Sequence, residues 1–145
     1  MVKYKFLWLF LLVSSIVVVI DQTTKWIFIR FEPVAQIGIL KFHLIYNTGA
    51  GFGILQDKAL WLGLVSLAVA IGVGWYYKKL PQQSMVQVLV GLFLGGVVGN
   101  MFDRLIRGRV VDFIDFTYWP AFNVADAALT ISAIGLVIYF WNEKN

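Results

Sequence analysis

The stretch Met85-Val86-Gln87-Val88-Leu89-Val90-Gly91-Leu92-Phe93-Leu94-Gly95-Gly96-Val97-Val98-Gly99-Asn100-Met101-Phe102 runs without a charge and then meets Asp103-Arg104. An apolar run of about 17 or more residues is long enough to cross a bilayer as a helix, because helical backbone satisfies its own hydrogen bonds where water is absent. Read this way, residues 85–102 form one membrane span whose polar end is Asn100 and Asp103. Three further segments qualify, at about residues 6–29, 59–77 and 123–141. The first does so only if its internal patch Asp21-Gln22-Thr23-Thr24-Lys25 is buried in protein rather than lipid.

Composition agrees with lipid as the solvent. The 145 residues are 60% hydrophobic and only 14% charged, against about 25% charged in soluble domains, and a particle this small has too little interior to hide the excess. Lys3 and Lys5 ahead of residues 6–20 resemble the start of a secretory signal, but no small-residue cleavage site follows, so the segment is read as an uncleaved first span. The formal charge of +4 sits in short flanks between apolar runs, where bases meet lipid headgroups or set topology, and nucleic acid is set aside as a partner. The absence of cysteine removes thiol chemistry and disulfides.

Lys78-Lys79-Leu80-Pro81 makes a short basic turn between the second and third spans, and Pro81 breaks the helix there. The two longer connections, about 30–58 and 103–122, then share the opposite side. The first contains Ile37-Gly38-Ile39-Leu40-Lys41-Phe42-His43-Leu44-Ile45-Tyr46 and is expected to form a short strand or hairpin on the bilayer surface. The second ends in Phe116-Thr117-Tyr118-Trp119-Pro120-Ala121-Phe122, an aromatic cluster suited to headgroup depth. The acid-free lysine turn favours both termini in the cytoplasm.

With spans alternating in direction, Asp21 late in the first, Asn100 and Asp103 at the end of the third, and Asn123 and Asp126 at the start of the fourth converge on the face that carries both long loops. Ionisable groups at such depth are costly and mark function. Asp103 and Arg107, four apart, either pair as the end of a helix or belong to the site. Asp112 lies in Arg109-Val110-Val111-Asp112-Phe113-Ile114-Asp115, too apolar for a solvated loop, and is preferred to Asp115, which is nearer the interfacial aromatics. Asn123 and Asp126 have the spacing of an N-cap and its capping-box acid, yet apolar neighbours turn Asp126 toward the bundle, where it meets Asp112.

Two carboxylates in one low-dielectric cleft do not both ionise cheaply, which supplies an acid and a base at neutral pH. The rest of the inventory is poorer. His43 is the one histidine and lies in the strand-like segment, against a serine–histidine triad; Ser14 and Ser15 are about three turns from Lys25. A magnesium or calcium ion on Asp103, Asp112 and Asp115 is an open alternative. A proton-coupled transporter using Asp21, Lys25, Asp103 and Asp126 is another, although four spans without an internal repeat argue against it.

The chain resembles the lipoprotein signal peptidases, also called signal peptidase II, over nearly its whole length. Asp21-Gln22-Thr23-Thr24-Lys25 is similar to the family's first motif and Asn47-Thr48-Gly49-Ala50-Gly51-Phe52-Gly53 to its second. Gly99-Asn100 through Asp103-Arg104 is similar to the third, Val110-Val111-Asp112-Phe113 to the fourth, and Phe122-Asn123-Val124-Ala125-Asp126 to the fifth. Gly51 departs from the more usual Ala.

The resemblance implies a mainly α membrane protein of four transmembrane helices with a small extracytoplasmic β-rich cradle, forming one domain over residues 1–145. It implies Asp112 and Asp126 as a catalytic pair, with Asp21, Lys25, Asn47, Gly49, Asn100, Asp103, Arg104 and Asn123 shaping or supporting the site. It further implies no metal or other cofactor, and an aspartic endopeptidase of the bacterial cytoplasmic membrane. The expected partners are diacylglyceryl-modified prolipoproteins, cut before the modified cysteine, and membrane lipids; the chain is read as a monomer.

Overall fold

The computed structural model describes residues 4–49 and 55–143. Ala50, Gly51, Phe52 and Gly53 of the second motif, together with Lys3 and Lys144, lie outside the described residues. Four helices long and apolar enough to cross a membrane are present: α1 (Leu7–Phe31), α2 (Ala59–Tyr76, continued by a 3-10 turn to Lys79), α3 (Ser84–Phe102) and α4 (Val124–Asn142). All four expected spans are found, each within a few residues of its expected bounds.

The chain is a multi-pass membrane protein, and its outer surface is made accordingly. Trp8, Val19, Leu60, Ile71, Trp75, Val137 and Trp141 are exposed on the helices, where lipid is the solvent. The interior is built around α3, which packs against the other three helices. With no hydrophobic drive between helices in lipid, close backbone approach has to supply the packing energy, and small residues permit it. A Cβ at Gly95 would lie 2.6 Å from Val17 Cβ, and one at Gly96 would lie 2.6 Å from the Ala125 carbonyl oxygen, so α3 meets α1 and α4 through these glycines.

At one end of the bundle lies an antiparallel sheet of order β1-β2-β3-β4, with β1 at Ala35–Ile37, β2 at Leu40–Asn47, β3 at Val110–Phe116 and β4 at Trp119–Phe122. Glu32, in the left-handed region (φ 43), ends α1, and Pro33 follows, so the chain must leave the helix there. The hairpin expected in the first loop is β1–β2. The second loop contributes β3 and β4, which sequence reasoning left unassigned. Val110-Val111-Asp112-Phe113 is buried, and the β-branched and aromatic residues suit a strand covered on both faces.

The register places Ile45 opposite Asp112 and Asn47 opposite Val110, so Asn47 and Asp112 are diagonal neighbours on one face. A bulge between Phe42 and Ile45 supplies the extra residue that sets this register. Stacking of Phe28 on Phe113, with ring centroids 4.5 Å apart, fastens the sheet to α1.

Candidate active site

Seven polar side chains from three helices and β3 are buried together beneath the sheet: Asp21, Lys25, Asn100, Asp103, Asp112, Asn123 and, largely enclosed, Asp126. Their convergence on the loop-bearing face is the one expected from alternating spans. Each is held by the element that carries it. Asn123 is the N-cap of α4: its Oδ1 accepts the Asp126 backbone N–H (2.9 Å), and the Asp126 Oδ2 accepts the Asn123 backbone N–H (3.3 Å). The capping box and the site are therefore the same structure, and Asp126 faces the bundle because its cap requires that turn.

Beneath the pair lies an ion cluster. Lys25 is wholly buried, with Nζ 2.8 Å from Asp21 Oδ2, 2.8 Å from Asp103 Oδ2, and donating to Asn100 Oδ1 at 3.1 Å. A buried ammonium is tolerable only when charge and hydrogen bonds are both met, and here all three of its donors are used. Asp21 Oδ1 accepts the Ala125 backbone N–H (2.9 Å), joining α1 to α4. Asp103 Oδ2 accepts the Val111 backbone N–H (3.1 Å), joining the end of α3 to β3. Both aspartates thus fix the backbone that carries Asp112 and Asp126.

Above the cluster, three asparagines present their amide N–H groups to the two remaining carboxylates. Asn47 Nδ2 donates to Asp112 Oδ2 (3.1 Å), Asn123 Nδ2 to Asp112 Oδ1 (2.8 Å), and Asn100 Nδ2 to Asp126 Oδ1 (2.7 Å). The amide orientations follow from fixed donors on the other side. The Gly49 backbone N–H (2.9 Å), the Asp126 backbone N–H and the Lys25 ammonium each require an oxygen from Asn47, Asn123 and Asn100 respectively. Burial raises the Asp112 pKa to about 6 from an ordinary 3.8. The nearby Asp126 charge adds to the rise; the Asn47 and Asn123 hydrogen bonds and the Lys25 charge oppose it.

Asp126, Asn47 and Arg104 line a cavity of about 590 Å³ whose other walls are mainly apolar, including Phe116, Trp119, Phe122 and Ile131. Of the expected site residues, Asn47, Arg104 and Asp126 line this cavity, while Asp112 is joined to it through its hydrogen bond from Asn47 and Gly49 contributes its backbone N–H to the Asn47 amide. The alternative metal set is dispersed: Asp103 is committed to Lys25 and Arg107, and Asp115 to His43 (3.0 Å). Among the described residues no group of three His, Asp or Glu could hold a metal ion.

Two residues absent from the expected set join the network. Gln22 donates to Asp21 Oδ2 and the Gly99 carbonyl (3.0 Å each) and accepts from Arg107 Nη1 (2.8 Å), while Arg107 also pairs with Asp103. The pairing of Asp103 with Arg107 was legible from their spacing. Gln22 carried no signal beyond its place between Asp21 and Lys25.

The family model described as signal peptidase (SPase) II matches residues 13–142. A lipoprotein signal peptidase of Anoxybacillus flavithermus is 38% identical, over 94% of this chain and 87% of the relative. One from Pseudoalteromonas atlantica is 40% identical, over 97% of this chain and 92% of the relative. A bacterial membrane enzyme solved by the in meso method at 2.3 Å resolution superposes with a TM-score of 0.88 at 30% identity, covering 97% of this chain and 92% of that one. Four apolar helices, a sheet closing one end and a match over nearly the full chain lead to one conclusion: this membrane enzyme belongs to the signal peptidase II family of aspartic peptidases.

Proposed function

We propose that the chain removes signal peptides from diacylglyceryl-modified prolipoproteins, cutting before the lipid-modified cysteine, with Asp112 and Asp126 as the catalytic pair. The observation that carries this reading is Asn123, whose side-chain Nδ2 donates to Asp112 and whose backbone N–H donates to the Asp126 carboxylate, so that two carboxylates from different elements are oriented by one residue. One member of the pair is ionised and the other holds a proton. The ionised member takes a proton from water as the water oxygen bonds to the scissile carbonyl carbon. The carbonyl π pair moves to its oxygen, which takes the proton of the second carboxyl.

Collapse of the resulting diol breaks the C–N bond. The first carboxyl gives its proton to the leaving nitrogen, and a diol hydroxyl returns a proton to the second, which restores the starting pair. Asn47, Asn100 and Asn123 orient the two carboxylates; Asp21, Asp103 and Lys25 hold the backbone beneath them; Gly49 fixes the Asn47 amide; Arg104 is the cation of the cavity. No step calls for a metal ion or another cofactor.

The membrane setting suits the substrate. A lipidated chain diffuses laterally, and a cavity with apolar walls beside Asp126 receives it where the helices meet the sheet. Residues 1–145 act as one domain and as a monomer in the bacterial cytoplasmic membrane. Both termini are cytoplasmic, the sheet and site are extracytoplasmic, and membrane lipids cover the exposed helix faces.

The test offers purified protein in detergent a diacylglyceryl-modified prolipoprotein and its unlipidated counterpart, with and without chelator, and maps the cut by mass spectrometry. Cleavage of the lipidated form alone, just before the modified cysteine and indifferent to chelator, is expected. Equal cleavage of both forms, or a cut elsewhere, would overturn the reading.

A further inference from the structure

The segment Asp103–Arg107 continues α3 as a π-helical turn and ends at Gly108 in the left-handed region (φ 69). A π turn costs hydrogen-bond geometry and persists where something outside the helix holds it. At the junction the Asp103 backbone N–H bonds the Asn100 carbonyl, and the Gly99 carbonyl is bonded from outside, by Gln22 Nε2 of α1 at 3.0 Å. The other end of the same side chain accepts from Arg107 Nη1 at 2.8 Å, and Arg107 pairs with Asp103. Gln22 Nε2 also stands 3.4 Å from Asp103 Oδ1. One amide thus spans the turn, touching Gly99 four residues before it, its first residue and its last.

Arg104 lies inside that span. It lines the 590 Å³ cavity with Asp126 and Asn47, and also a neighbouring cavity with Thr48 and Leu60. Were the helix to continue as α, the side chains from Asp103 onward would rotate, and the Arg104 guanidinium would shift on the wall it shares with Asp126. We propose that Gln22 is a positioning residue for Arg104: its amide clasps the π turn between Gly99 ahead of it and Asp103 and Arg107 within it, and so holds the guanidinium in the cavity. This rests on Arg104 being the cation of the active site. Among the described residues the hydrogen bonds of Gln22 go to Asp21, Gly99, Asp103 and Arg107, and not to Asp112 or Asp126.

The experiment pairs kinetics with a readout that needs no substrate. Full-length wild type, Gln22→Met, Arg104→Gln and the double variant are assayed in detergent for kcat and KM on a diacylglyceryl-modified peptide. Hydrogen–deuterium exchange is followed over residues 99–108. Methionine keeps the length of Gln22 and loses its hydrogen bonds.

Gln22→Met is expected to lower kcat/KM about ten- to hundredfold, the size of effect that misplacement of a positioned group produces. The double variant is expected to match Arg104→Gln within about twofold, because a positioning residue has nothing left to position. Exchange should rise over residues 99–108 and stay unchanged in the rest of α3. Gln22→Glu, which keeps an acceptor for Arg107 but cannot donate to Gly99, should fall as far as Gln22→Met.

Losses that multiply in the double variant, or unchanged exchange over residues 99–108, would overturn the clasp. An Arg104→Gln enzyme as active as wild type would also overturn it, as would a folded Gln22→Glu enzyme at wild-type kcat/KM. Wild type that cuts no lipidated substrate would instead count against the peptidase reading, while the exchange result would still decide whether Gln22 holds the turn.

Discussion

The two ends of this helical bundle solve burial in opposite ways. Beneath the sheet, four charged side chains and two asparagines are buried, and every one is hydrogen-bonded. At the far end Phe10, Tyr77, Val86 and Val90 form an apolar cluster, with the Phe10 and Tyr77 rings 4.9 Å apart. Gln87 Oε1 there is buried without a hydrogen-bond partner among the described residues, while the Tyr77 hydroxyl is met by the Gln82 side chain. The far end tolerates a loose polar end because no charge is at stake. The sheet end cannot, since an unpaired ion in a low-dielectric site costs several kcal/mol. On the proposed assignment of the catalytic pair, chemistry and stability are coupled at one end and separable at the other.

That contrast is open to breaking. The largest stability effect is expected from Lys25→Met, which strands Asp21 and Asp103 without their ammonium: a loss of about 3–5 kcal/mol, read as a lower Tm in detergent, with cleavage lost alongside. Phe10→Ala should cost about 3 kcal/mol by leaving a cavity against Tyr77, yet leave the pH profile of cleavage unchanged in the protein that remains folded. A change in that profile would show the two ends to be coupled.

Protonation sharpens the comparison. The folded Asp112 binds its proton up to about pH 6, whereas its unfolded pKa is near 3.8. The folded state therefore holds more protons between those values, and stability falls as pH rises through that window, by on the order of 3 kcal/mol. Asp112→Asn should flatten this part of a Tm-against-pH curve. Smallest is Gly95→Leu, at about 1–3 kcal/mol: its side chain meets Val17 midway along the bundle and parts α1 from α3, lowering Tm more than kcat/KM.

Much of this was legible in the residues. The spans were, because a bilayer demands long apolar helices and nothing else in the chain competes with them. Asp126 was visible too, since an asparagine followed three residues later by an acid marks a helix start, and its apolar neighbours turned it inward. The strands β3 and β4 were not. A short apolar run such as Val110–Phe116 has no period of its own, and its partner Leu40–Asn47 is remote in sequence and carries a bulge. Gln22 was hidden for a related reason: a neutral amide gives no charge pattern, and its partners Gly99 and Arg107 are 77 and 85 residues away.

The central claim is that Asp112 and Asp126 together cut the substrate. The most direct measurement is the cleavage rate of a diacylglyceryl-modified prolipoprotein by wild type, Asp112→Asn and Asp126→Asn, each shown to be folded by a cooperative melt in the same detergent. Both variants are expected to fall by at least about 100-fold, the share that a general acid or base contributes. A folded variant of either position that cuts at the wild-type rate would contradict the account.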